Sequence, residues 1–252
     1  MSTFDRNPQA TYSVAGTQAD AAIDRGLRAY MLGVYNYMTL GLALTGFFAL
    51  GTVFFAVEQT AGGMALTPLG MALYGSPLKW VVMLAPLGMV MFLSFRIQSM
   101  SASAARTTFL IYAAVMGVSL SSIFLVYTGG SIARVFFITA ASFGALSLFG
   151  YTTKKDLSAW GSFLFMGLIG IVIASLVNIF LASSALQFAI SVIGVLVFAG
   201  LTAYDTQQIK EMYYEGDGHE VATKKSVMGA LRLYLDFINM FLMLLQLFGN
   251  RE

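Results

Sequence analysis

The sequence contains no cysteine. Disulfides, thiolate metal sites and cysteine nucleophiles are therefore excluded. Histidine occurs once, as His219 in the polar stretch EGDGHEVATKK. A histidine-based zinc site or a Ser-His-Asp triad within the membrane finds no support there. Charge is scarce as well, at 10% of the 252 residues, against about 25% in an ordinary soluble domain. A soluble chain of this length buries a large core but still needs a charged coat, and this chain has too few charges to make one. With 58% hydrophobic residues, lipid rather than water is the expected solvent for most of its surface. The net charge of +2 is spread over several loops, which gives no basic patch for nucleic acid.

What the chain does have is apolar length. Runs able to cross a hydrocarbon core, about twenty residues each, fall near 30–57, 78–96, 107–127, 132–150, 159–181, 186–207 and 228–248. The expected fold is an all-α membrane protein, a bundle of seven transmembrane helices over 30–252. Fifteen methionines and 25 glycines suit helix packing in lipid, where small residues permit close approach. The first run is Gly-rich (Gly33, Gly41, Gly46, Gly51), so a tilt or kink is expected there. Pro86 sits inside the second, where membrane helices tolerate it. Residues 1–29 are polar and mixed in charge, and are expected to form a mobile cytoplasmic tail ending in a short amphipathic lead-in rather than a secretory signal. EQTAGGMALTPLGMALYGSP, between runs one and two, is expected as an apolar loop on the membrane surface. About twenty residues precede the last run.

Basic residues are retained on the cytoplasmic side of a membrane. With the N-terminus inside, the inner segments hold Arg6, Arg25, Arg28, Arg96, Arg106, Lys154, Lys155, Lys210, Lys224, Lys225 and Arg232, and the outer ones only Lys79, Arg134 and Arg251. Eleven against three sets a cytoplasmic N-terminus in an inner (plasma) membrane. The sequence leaves open whether the last run fully crosses.

Ionisable groups inside membrane helices are costly and mark functional sites by default. Two acids lie within hydrophobic runs, Asp205 in VLVFAGLTAYDTQQIK and Asp236 in LRLYLDFINMFLMLLQLFG. Antiparallel helices six and seven would bring them to similar depth. If they touch, both cannot ionise easily, and the pair becomes a proton-sensitive switch that in its ionised state offers hard oxygens to calcium. The spacing also allows a purely structural reading, because Arg232 precedes Asp236 by four residues and can pair with it. Arg96, ending helix two, is the best cation from another helix and equally a positive-inside anchor. Asn178 and Asn239 are expected to hydrogen-bond between helices. The serines of GVSLSSIFLVY are expected to bond within their helix or across to a neighbour. Tyr204 and Tyr234 precede the two aspartates as interfacial aromatics or as their hydrogen-bond partners.

Three blocks in order, ALSLFGYTTKKDLSAWGSFLFMGLIGIV, FAGLTAYDTQQIK and LRLYLDFINMFLMLLQLFG, resemble the Bax inhibitor-1 family of transmembrane Bax inhibitor motif proteins. With the seven-run layout, the resemblance covers nearly everything from residue 30 onward. It implies a bundle with a central last helix and a pH-sensitive calcium leak. In that reading Asp205 and Asp236 are the proton-holding, calcium-binding pair and Arg96 is the latch of the closed state; from their positions beside the pair, Arg232, Tyr204 and Asn239 are expected in support. It also implies a possible partner, a membrane-bound ATP-dependent (AAA) protease that bacterial relatives modulate.

The leading expectation is thus a proton-gated calcium channel of the inner membrane, with no cofactor and no enzymatic activity. The second is a regulator of membrane-protein quality control acting on the AAA protease. An intramembrane aspartyl protease is set aside, because helix seven carries Tyr-Leu-Asp where Gly-x-Gly-Asp is needed and no Pro-Ala-Leu follows. A retinal pump lacks its Schiff-base lysine on helix seven.

Overall fold

The computed structural model describes residues 8–60 and 63–251. Of the expected tail, positions 1–7 (Arg6 among them) lie outside the described residues, and side chains are described from Arg25 onward. Seven long helices follow the seven apolar runs: α1 Pro8–Ala56, α2 Leu78–Arg96, α3 Ala102–Leu120, α4 Gly129–Thr152, α5 Ser158–Leu181, α6 Ser184–Glu211 and α7 His219–Phe248. All seven are long and apolar enough to cross a membrane. The chain is an all-α membrane protein.

Short connections start their helices with side-chain caps, which satisfy backbone N–H groups that the helix itself cannot. Ser101 accepts from the Ala104 N–H at 3.2 Å, Thr128 from Ser131 at 3.3 Å and Ser183 from Leu186 at 3.3 Å. Before α5, exposed Asp156 accepts from the Ser158 N–H at 2.8 Å. That bond holds the Asp156 carboxyl below the usual carboxylate range, so the bond is lost as pH falls through its lowered pKa.

Two connections differ from expectation. The segment after α1 is not merely a surface loop but forms an antiparallel hairpin, β1 Val57–Thr60 with β2 Gly63–Leu66, in the register Val57↔Leu66 and Glu58↔Ala65. A Thr67-capped helical turn, Pro68–Gly70, follows it. The connection into α7 is shorter than expected, because the helix begins at His219. Residues 219–227 are polar but helical, and hydropathy reports contact with lipid rather than helix formation.

The least apolar of the seven helices is also the most enclosed. α5 has the highest mean hydropathy over its most apolar window, 2.5, and only 17% of that window is buried; α7 has the lowest, 1.5, and is 67% buried. In lipid the least apolar helix gains most from protein neighbours. α7 accordingly sits at the centre, packed by α6, α1, α4 and α3, with Leu231, Leu233, Tyr234, Met240 and Leu245 fully buried. It runs the whole length of the bundle. Near its start Lys224 donates to the Gln98 carbonyl at 3.2 Å, and past its end Thr128 donates its N–H to the Asn250 carbonyl at 3.0 Å.

α6 is drawn close to its neighbours by two glycines. A Cβ at Gly150 of α4 would strike the Ala203 carbonyl, and one at Gly161 of α5 would strike the Tyr204 ring. Around Gly46 of α1 there is open space. Gly150→Ala is therefore expected to destabilise the protein by about 1–3 kcal/mol through overpacking, while Gly46→Ala leaves stability unchanged or raises it. Thermal unfolding of the two variants in detergent checks this.

Candidate functional site

Asp205 lies on α6 directly beyond these close contacts. Its flanking hydroxyls satisfy themselves on the helix: Thr202 donates to the Phe198 carbonyl and Thr206 to the Thr202 carbonyl, both at 2.7 Å. This is how hydroxyls are tolerated in an apolar helix. The carboxyl is left to face α7, where Asp236 is 5% exposed.

The two carboxyls are neighbours across the contact of α6 and α7, each close enough to feel the other. The Oδ2 of Asp236 is buried with no hydrogen-bond partner among the described residues. The cation whose field reaches both groups is Arg232, one turn before Asp236 and exposed. It makes no ion pair with either acid; the one ion pair among the described residues joins Lys225 to Asp217 at 2.5 Å. The purely structural Arg232–Asp236 bridge is therefore not formed. No third acid or histidine joins the two aspartates in a metal-binding group among the described residues. Two carboxylates supply fewer oxygens than the roughly six to eight that calcium takes.

The other sequence candidates lie around this pair or apart from it. Arg96 is exposed at the end of α2, a helix whose packing partner among the long helices is α3, and the structure does not bring it to the aspartates. Tyr204 packs on Gly161. Tyr234 is bonded to Thr45 at 2.7 Å and stacked edge-on with Phe109 and Tyr112. Neither tyrosine is a hydrogen-bond partner of an aspartate. Asn239 donates to the Leu235 carbonyl of its own helix at 2.8 Å, whereas Asn178 does reach across, to Gln187 at 3.2 Å.

Two polar features were not read from the sequence. Tyr35 of α1, Ser147 of α4 and Thr206 of α6 form a hydroxyl chain, with bonds of 2.6 and 2.9 Å, ending one residue from Asp205. At the opposite end of the bundle Gln246 of α7 accepts from Gln187 at 2.5 Å and Ser191 at 2.8 Å on α6. These residues, with Asn178 and Arg251, line a recess of about 370 Å³. Arg232, Asn239 and Gln246 are spaced by seven residues and share one face of α7; that spacing was the available signal. Between the recess and Asp236 lies the α6–α7 seam, about 15 Å long at 1.5 Å per residue, where Met243 seats on Gly194.

Because the chain has no native cysteine, contact between the aspartates can be tested cleanly. The double variant D205C/D236C is expected to be bridged in detergent by a short bis-thiol cross-linker, with loss of free thiols. The control pair D205C/S76C is expected to stay unbridged.

Comparison with known proteins assigns the chain. The family described as "Inhibitor of apoptosis-promoting Bax1" matches residues 27–252. The chain is similar to the inner membrane protein YbhL of Escherichia coli (strain K12), 50% identical over 229 residues, or 90% of this chain and 94% of the relative. A Rickettsia prowazekii protein is 47% identical over 96% of this chain and 98% of its own length. A membrane protein of Streptococcus pyogenes is 35% identical over 91% and 96% respectively. The seven-helix bundle and its central last helix agree with that match: the chain belongs to the Bax inhibitor-1 family.

Proposed function

We propose that this protein is a pH-sensitive calcium leak of the inner membrane, gated by the proton held between Asp205 and Asp236. The observation that carries the reading is the meeting of two carboxyls at the contact of α6 and α7, in a bundle otherwise poor in charge. The membrane is inferred from the relative described as an inner membrane protein. The cytoplasmic N-terminus rests on the distribution of Lys and Arg.

Protonated, the pair is hydrogen-bonded and draws α6 and α7 together. Loss of the proton leaves two like charges in a low dielectric, which repel each other and present oxygens to a divalent cation. The two states then differ in the packing of the seam that leads to the Gln246 recess. A tenfold change in the open population needs only about 1.4 kcal/mol of differential interaction. In this reading Arg232 is the cation that biases the pair. Arg96 acts as a latch only after α2 moves toward α7.

Calcium flux into liposomes holding purified protein, from about pH 6 to about pH 8, tests the proposal. Wild type is expected to show pH-dependent flux, and Asp205→Asn and Asp236→Asn to lose that dependence while remaining folded. Arg232→Gln is expected to shift the profile more than Arg96→Gln does. Absence of flux above empty liposomes, with folded protein confirmed, overturns the leak and favours the role as regulator of a membrane AAA protease.

A further inference from the structure

α1 and α4 both pack on α7 but leave between them a groove of about 990 Å³, floored by Phe237. Along α1 its lining runs from Arg28 to Gly46, about 27 Å at 1.5 Å per residue, close to the roughly 30 Å of a bilayer's hydrocarbon core. Most of the wall is apolar, as at Met31, Leu42, Phe136 and Ala140. Charge enters at one end only. Arg28 lines that mouth, and no carboxylate lines the groove. Beside it Tyr151, also lining, is held by Lys210, which donates to its carbonyl at 2.9 Å and lies 5.4 Å from its ring. Lys154 and Lys155 follow within four residues. Arg28 has no ion-pair partner among the described residues.

We propose that this groove binds an anionic phospholipid, with its acyl chains against the apolar walls and its phosphate at Arg28 and Lys210. Basic pockets between membrane helices are suited to anionic head groups, and long basic side chains reach the headgroup level from such positions. Another helix is a poorer occupant. The groove is crossed by a wall-to-wall contact. The 2.6 Å hydrogen bond between the Tyr35 and Ser147 hydroxyls joins the walls, and a helix would have to break it, whereas flexible acyl chains pass beside it. The site is independent of the calcium reading.

Native mass spectrometry of the full chain in detergent, titrated with phosphatidylglycerol or with phosphatidylcholine of matched chains, tests the proposal. Wild type is expected to bind phosphatidylglycerol about tenfold more tightly, and Arg28→Gln to abolish most of that preference. Filling the groove by Gly144→Leu, or from the other wall by Ala43→Phe, is expected to remove the bound lipid while the thermal midpoint shows a folded chain. Equal binding of the two lipids overturns the proposal, as does a preference that survives Arg28→Gln or binding that survives both filled variants. A dimer that the filled variants dissociate also overturns it, and assigns the groove to a second copy.

Discussion

The contact between the carboxyls of Asp205 and Asp236 constrains the rest of the bundle. A carboxyl in hydrocarbon is tolerated only where protein surrounds it and a partner meets it. Both conditions require α7 to be enclosed rather than peripheral. The helix that carries Asp236 is the least apolar and the most buried, and the helix that carries Asp205 is the second most buried. Gly150 and Gly161 bring α4 and α5 against the turn that presents Asp205. The polar pair and the close packing around it are thus two aspects of one requirement.

The proposed function rests on the same arrangement. A proton shared by two carboxyls is easily exchanged when the environment changes, and its loss reverses the sign of their interaction from attraction to repulsion. The polar face of α7 continues from the pair to the glutamine recess, which gives that change a direction along the seam. On the other side of α7, the α1–α4 groove meets the same helices through the hydroxyls of Tyr35, Ser147 and Thr206.

Much of this was legible in the residues. Apolar runs located all seven helices, because about twenty apolar residues have few alternatives in lipid, but not their starts: α1 begins at Pro8 rather than near 30, and α7 at His219 rather than near 228. Asp205 and Asp236 stood out because acids are rare in such runs. The missing parts depend on which helix faces which. Arg96 ends a helix at the expected depth, but α2 packs on α3, and no linear pattern reveals that choice of neighbour. Arg232 was weighed only as an ion-pair partner, whereas its charge acts without contact. The Tyr35–Ser147–Thr206 chain joins residues up to 171 positions apart (206 less 35), each of which resembles an ordinary hydroxyl in an apolar run. The β1–β2 hairpin was missed because VEQT and GMAL lack the alternation that marks a half-buried strand.

Infrared difference spectroscopy of the membrane-reconstituted protein, recorded while pH is stepped, reads out whether Asp205 and Asp236 share a proton. With a shared proton, the wild type shows a protonated carboxyl band that disappears or shifts in both Asp205→Asn and Asp236→Asn, because each proton position depends on the other residue. A band that one substitution leaves untouched, or two carboxylates ionised throughout, would contradict a shared proton.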